Sequence, residues 1–185
     1  MLIEKPLFPT MFYEIDIDSN LALAVLNEIK DKQNLINTVS EATQVHPVSD
    51  YSTDFINTIP IETFNNEVIP VLQQHWAQMN TRMENIFSWV SCYTGPHGCH
   101  PMHNHQGGYQ NNLAYSAILF LTSIGSTDFF TVAPSAQNYM YSHESRLGNI
   151  IFFPSIIPHQ YRTESYDGNN RYTLPFNCEL VSCEN

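Results

Sequence analysis

Residues 148–177 read GNIIFFPSIIPHQYRTESYDGNNRYTLPFN. A glycine opens the apolar run "NIIFFP", which is short and rich in β-branched and aromatic side chains, so it reads as a buried strand. His159 arrives after a short bend. The polar stretch "SYDGNN" then makes a turn or loop, and a second apolar strand, "RYTLPFN", follows. Arg171 and Thr173 lie two apart on that strand and therefore share a face. A guanidinium among mostly apolar neighbours needs an anionic partner, and its planar fork suits a carboxylate gripped at two points. The Thr173 hydroxyl can add one more hydrogen bond. A surface salt bridge, the usual fate of an arginine, fits this apolar setting less well.

The same texture extends upstream. From about Ile86, short β segments alternate with Gly, Pro, Asn and Ser: "IFSWVSCYT", "AYSAILFLT", "TDFFTVA", "NYMYSH", "NIIFFPS", "PHQYRT" and "RYTLPFNCEL". Seven such strands at this spacing predict a sandwich or barrel, not a parallel α/β sheet. Before them, "LFPTMFYEIDI" reads as a strand. Ser19 or Asn20 is expected to cap a helix over "LALAVLNEIKDKQ" with Leu21, Val25, Leu26 and Ile29 on one face. A second helix carries Phe64, Val68, Leu72, His75, Trp76 and Met79 as a buried stripe, with Pro70 in the first turn of its regular part. Between the helices, residues 34–60 have no period and many Ser, Thr, Asn and Asp, which marks a long loop and a candidate substrate lid. The expectation is one domain over residues 1–185. Its N-terminal strand and helices (1–85) pack outside a jelly-roll-like β core (86–181).

Composition removes several function classes. The chain has 185 residues, a net charge of −11 and seven Lys and Arg in all. A phosphate-binding surface needs clustered cations, so nucleic acid and anionic membrane surfaces are disfavoured partners. No apolar run approaches the roughly 20 residues of a membrane span, and the first residues lack the layout of a secretory signal. The four cysteines, Cys92, Cys99, Cys178 and Cys183, form no CxxC pair. They read as reduced thiols of a cytoplasmic protein, with two disulfides the alternative.

Upstream of the decisive stretch, residues 99–108 read CHPMHNHQGG. On an unbroken strand His103 and His105 point the same way. A lone His-x-His is a weak signal, equally compatible with solvated or core histidines. A histidine pair, a remote His159 and a strand-borne Arg-x-Thr together make a metal-plus-carboxylate constellation, and imidazoles suit a divalent transition metal such as Fe(II). His97 and His100 are candidate supporting or substrate-facing residues. His46, His75 and His143 read as structural or surface residues, with His75 in the helix core beside Trp76.

In these residues the chain resembles the 2-oxoglutarate and Fe(II)-dependent oxygenases, especially the group common in phages and marine bacteria. The resemblance runs from "LFPTMFYEIDI" through "FSWVSCYTGPHGCHPMHNH" and "YSAILFLT" to "GNIIFFPSIIPHQ" and "RYTLPFN". It implies a double-stranded β-helix, the jelly-roll, cupin-like fold. It implies Fe(II) bound by His103, His105 and His159, and 2-oxoglutarate held through its distal carboxylate by Arg171 and Thr173. It also implies O2 as co-substrate and hydroxylation of a C–H bond coupled to decarboxylation to succinate. Tyr115, with Tyr93 and Trp89, is a candidate to line the cosubstrate pocket, with plain core the commoner role of aromatic strand residues. The usual ligand set is two histidines and one carboxylate, and His105 stands in the carboxylate's place. Asp128 is the nearest acidic residue, in a setting that reads as a strand start. Two alternatives stand beside this reading: a cupin-type three-histidine metalloenzyme independent of 2-oxoglutarate, and a non-catalytic metal-binding module. The primary substrate and the assembly, a homodimer included, are left open.

Overall fold

In the computed structural model, residues 12–33, 51–52, 60–93, 100–105, 114–130, 140–162 and 169–183 are described. Eleven strands among them form two antiparallel sheets. In chain order they are β1 (Tyr13–Asp16), β2 (Tyr51–Ser52), β3 (Thr81–Ser88), β4 (Ser91–Tyr93), β5 (His100–His103), β6 (Ala114–Phe120), β7 (Ser126–Phe130), β8 (Met140–Glu144), β9 (Asn149–Pro154), β10 (His159–Arg162) and β11 (Arg171–Ser182). The larger sheet runs β1-β9-β6-β11-β4-β2, with β3 on the far half of β11; the smaller runs β5-β10-β7-β8. The helices among the described residues are α1 (Ser19–Asp31) and α2 (Ile69–Ala77), the latter entered through a π-helical turn, Phe64–Val68.

Strand parity explains the layering. On β9, Ile150 and Phe152 join the cluster that includes the helices, whereas Ile151 and Phe153 face the interior between the sheets. Both faces are buried, so the run is continuously apolar and does not alternate. On β11, Tyr172, Leu174, Phe176 and Cys178 turn toward the helices. Arg171, Thr173 and Pro175 turn inward and line a cavity. Gly148 starts β9 with φ of +80°, and its amide donates to Phe120 O at 2.9 Å. A Cβ there would stand 2.9 Å from Ile17 O, so only glycine fits.

Helix α1 buries Ala22, Val25, Leu26 and Ile29. Its cap is Asp18, not Ser19 or Asn20: the carboxylate accepts from Asn20 N at 2.7 Å and Leu21 N at 3.3 Å. Three capping residue types in a row leave that choice to the path of the preceding strand. In the second helical segment the buried stripe is Phe64, Val68, Leu72 and Trp76, spaced by four, with Pro70 in the first turn of α2. His75 and Met79 fall outside the stripe and are exposed, which corrects the core placement of His75. Trp76 packs edge-on against Phe152 (5.2 Å between centroids) and Tyr13 (4.9 Å). Each such large apolar side chain contributes roughly 1.5–3 kcal/mol through burial.

Glu28 ties the helices together. It accepts from Lys32 Nζ (2.6 Å), Glu62 N (2.7 Å) and Thr63 N (2.8 Å), which caps the second helical segment from the side. Burial works to raise its pKa, but the hydrogen bonds from Lys32, Thr63 and Glu62 prevail and bring it down to about 2. Cys92, Cys178 and Cys183 carry free thiols, and burial pushes Cys178 up to about 12. Cys99, His46, His97 and nearly all of the expected lid fall outside the described residues. Among the described residues, no helix is long and apolar enough to cross a membrane.

Candidate metal centre and carboxylate cradle

Three imidazoles converge at one end of the interior. His103 closes β5 and His159 opens β10, and the two are directly opposite each other across the antiparallel ladder. Their ring centroids are 4.3 Å apart. His105 lies just beyond β5, not on it. Its amide donates to Ser155 O at 2.9 Å, which folds the residue back toward the pair. Its ring stands 5.1 Å from each of the other two and 5.2 Å from Trp89. The potential ligand atoms of all three histidines lie within 4.8 Å of one another, enough to hold one metal ion.

Hydrogen bonds set the tautomers. His159 Nδ1 is 3.1 Å from Ile157 O, a pure acceptor, so that nitrogen carries the proton and Nε2 keeps its lone pair. His105 Nδ1 is 3.0 Å from Asn177 Oδ1, which likewise leaves Nε2 bare. Asn177 Oδ1 also accepts from Ser116 Oγ at 2.7 Å, and that hydroxyl lies 3.3 Å from His105 Nδ1. His103 Nε2 and His105 Nε2 face each other at 3.1 Å. Two nitrogens about 2.1 Å from one ion and about 90° apart would be about 3.0 Å from each other. The His103–His105 spacing therefore fits two imidazoles on one divalent transition metal, with His105 and His159 oriented through their second nitrogens.

Next to this cluster lies Arg171, 2% exposed. Its guanidinium carbon is 3.8 Å from the Tyr161 ring centroid, 5.3 Å from Tyr93 and 5.6 Å from Phe120. Nη2 donates to Thr127 Oγ1 at 3.0 Å and Nε to Ser145 Oγ at 3.4 Å. Among the described residues no carboxylate pairs with it. Burial lowers its pKa, and the neighbouring Tyr93 and Tyr161 oppose that shift. A guanidinium stays protonated nonetheless, so the aromatic cage holds a desolvated cation with donor capacity to spare. Imidazoles and guanidinium open into one cavity, lined by Trp89, Ser91, Tyr93, Thr127, Tyr161 and Thr173 among others.

No protein-family model matches the sequence, and no curated relative does. Solved structures do match. A prolyl 4-hydroxylase of Pseudomonas putida aligns at a TM-score of 0.60 and 14% identity, over 92% of this chain and 93% of that one. The prolyl hydroxylase of Trichoplax adhaerens, solved with a peptide fragment of a hypoxia-inducible factor oxygen degradation domain, aligns at 0.66 and 11% over 91% and 83%. The chain has the prolyl hydroxylase fold. A third such enzyme, from Phytophthora capsici, aligns at 0.58 and 18%, over 91% of this chain and 58% of its own.

Within this fold the expected residues are distributed unevenly. His103, His105, His159, Arg171 and Thr173 meet around one cavity, and Tyr93 and Trp89 line it. Tyr115 does not. It packs on the helix side of β6, its ring 6.1 Å from that of Tyr13, and burial together with Tyr13 pushes its pKa up to about 12. Its neighbours Ser116 and Ile118 take the inward face, and one register step separates the two faces. Asp128 is buried on β7, where Gln160 Nε2 donates to it at 3.4 Å; the inward positions of that strand belong to Thr127 and Phe129. It is no substitute for the missing carboxylate ligand. Asn177, Ser116 and Thr127 serve the site without having been singled out in the sequence. For Asn177 the signal was present: it shares parity with Arg171 and Thr173 in an otherwise apolar strand. His143 is buried on β8, its Nε2 2.7 Å from Asn149 Oδ1, away from the three histidines.

Proposed function

We propose that the chain is a 2-oxoglutarate- and Fe(II)-dependent oxygenase that hydroxylates a C–H bond of its substrate. One observation carries the reading. A buried guanidinium with no carboxylate partner among the described residues shares a cavity with three imidazoles whose lone pairs converge. A buried cation left unpaired is costly, and a dicarboxylic ligand reaching from the metal to Arg171 relieves that cost. Bound iron, with O2 and the 2-oxo acid, supplies the oxidising power. The chain's own residues do the rest. His103, His105 and His159 would hold the ion through their ring nitrogens. Arg171 and Thr173 anchor the distal carboxylate, and Trp89, Phe153 and Tyr161 keep water from the reacting atoms. The peptide held by the Trichoplax neighbour makes a polypeptide side chain the first substrate class to test.

The test is anaerobic loading with Fe(II), addition of 2-oxoglutarate and O2, and quantification of succinate. 2-Oxoglutarate is expected to raise the melting temperature of the metal-loaded protein, and Arg171→Ala is expected to abolish the rise. Metal binding with neither turnover nor a thermal response to 2-oxoglutarate would reject this function. It would favour the second reading, which the third imidazole supports: a three-histidine oxidase acting directly on a small molecule, indifferent to Arg171→Ala.

A further inference from the structure

Among the polar groups of the cradle that the resemblance did not assign is the hydroxyl of Ser91. Ser91, on β4, is 1% exposed, and its Oγ has no hydrogen-bond partner among the described residues. Parity places it inward: Trp89, Ser91 and Tyr93 line the cavity, while Val90 and Cys92 belong to the helix-side core. The β4–β11 register fixes its neighbours, with Ser91 directly opposite Thr173 and Tyr93 directly opposite Arg171. Ser91 and Arg171 are thus diagonal neighbours on one face, about 7–8 Å apart at the backbone, a span that an arginine and a small bridging group fill. Native proteins rarely bury a hydroxyl with no partner, because its lost hydration is not recovered. The orphan faces a cavity that already presents an orphaned cation.

We propose that Ser91 is a ligand-contacting, specificity-determining residue, whose hydroxyl donates to the carboxylate that Arg171 anchors. The inference rests on the 2-oxoglutarate reading and extends it to a third point of contact. The carboxylate is then held from two strands at once, by Arg171 and Thr173 of β11 and by Ser91 of β4. Acids that lack a distal carboxylate leave the hydroxyl orphaned and gain nothing from it.

The experiment uses the whole chain loaded with Mn(II), titrated calorimetrically with 2-oxoglutarate and separately with pyruvate, for wild type and Ser91→Ala. The expected result is a roughly 10-fold weaker 2-oxoglutarate affinity in the variant with pyruvate affinity unchanged, a loss typical of one hydrogen bond to a charged group. Melting without ligand gives the second readout. Deleting a buried unpaired hydroxyl should leave the melting temperature equal or higher, by up to about 2–4 °C, whereas a hydroxyl with a structural role would lower it. A wild type that binds 2-oxoglutarate and a variant that binds it equally well would overturn the Ser91 assignment alone. Equal weakening for both acids would place the hydroxyl at the metal end and overturn it too. A loaded wild type that ignores 2-oxoglutarate would remove both this inference and the function beneath it.

Discussion

Asn177 offers the sharpest test of how the centre is held. Its Oδ1 accepts from His105 Nδ1 at 3.0 Å and from Ser116 Oγ at 2.7 Å, and this bond keeps His105 Nε2 unprotonated and aimed at the other rings. Asn177→Ala deletes the acceptor. His105 then divides between tautomers and ring orientations, because its backbone is outside the ladder and is held there through its amide bond to Ser155 O. Removing an outer hydrogen-bond partner of a ligating histidine costs about 10–100-fold in metal affinity, equivalent to about 1.4–2.8 kcal/mol. The lower half of that range is expected here, since two of the three donors stay fixed by the β5–β10 pairing. Anaerobic calorimetry with Co(II) or Fe(II) reads the change. Asn177→Asp, which keeps an acceptor at nearly the same place, should retain affinity within about threefold. If Asn177→Ala binds metal as tightly as wild type, or if Asn177→Asp loses as much as Asn177→Ala, the tautomer argument is wrong.

Other outcomes follow from the same geometry. Arg171→Met keeps most of the volume in the aromatic cage and removes the charge, so it should abolish binding of 2-oxoglutarate while leaving Mn(II) affinity within about twofold by calorimetry. Leu72→Ala empties a fully buried site between α2 and the larger sheet and should cost about 2–5 kcal/mol in urea unfolding. Glu28 has a folded-state pKa near 2, below its ordinary 4.5. Its contribution is therefore full above about pH 4.5 and disappears as the pH falls toward 2. The gap caps that contribution at about 3.4 kcal/mol, and solvent screening at this partly exposed position reduces it to about 1–2 kcal/mol. Glu28→Gln should therefore melt several degrees below wild type at pH 7, and the two curves should close up by pH 2.5. A difference that does not change with pH would show that the carboxylate charge is irrelevant there.

Much of this architecture was legible because its strands carry strong local signals. "NIIFFP" and "RYTLPFN" are strands on any reading, and parity alone placed Arg171 and Thr173 together. What escaped had physical causes. β5 is "HPMH", with neither an apolar alternation nor a continuous run, and its pairing to β10 across a long sequence separation defines it. β3 begins at Thr81, five residues before the texture change, because its mixed pattern follows packing on β11 and not composition. His105 was expected to share a strand with His103, but it reaches the same point through a backbone contact with Ser155, invisible to periodicity. Tyr115 was misplaced because both faces of β6 are buried, so hydrophobicity cannot say which parity looks inward. Ser91 and Thr127 are small polar residues in strands, and only the register reveals what they face.

The unequal anchoring of the three imidazoles has an evolutionary side. His103 and His159 face each other on one rung of the β5–β10 ladder, so altering either disturbs two strands at once. His105 lies beyond the last rung, its amide on Ser155 O and its ring on Asn177, where a shorter or charged side chain can be exchanged without rewriting the barrel. That position is the natural place for this scaffold to retune what it binds, and a His105→Asp replacement should be tolerated by the fold with Asn177 turning its amide to donate to the new carboxylate.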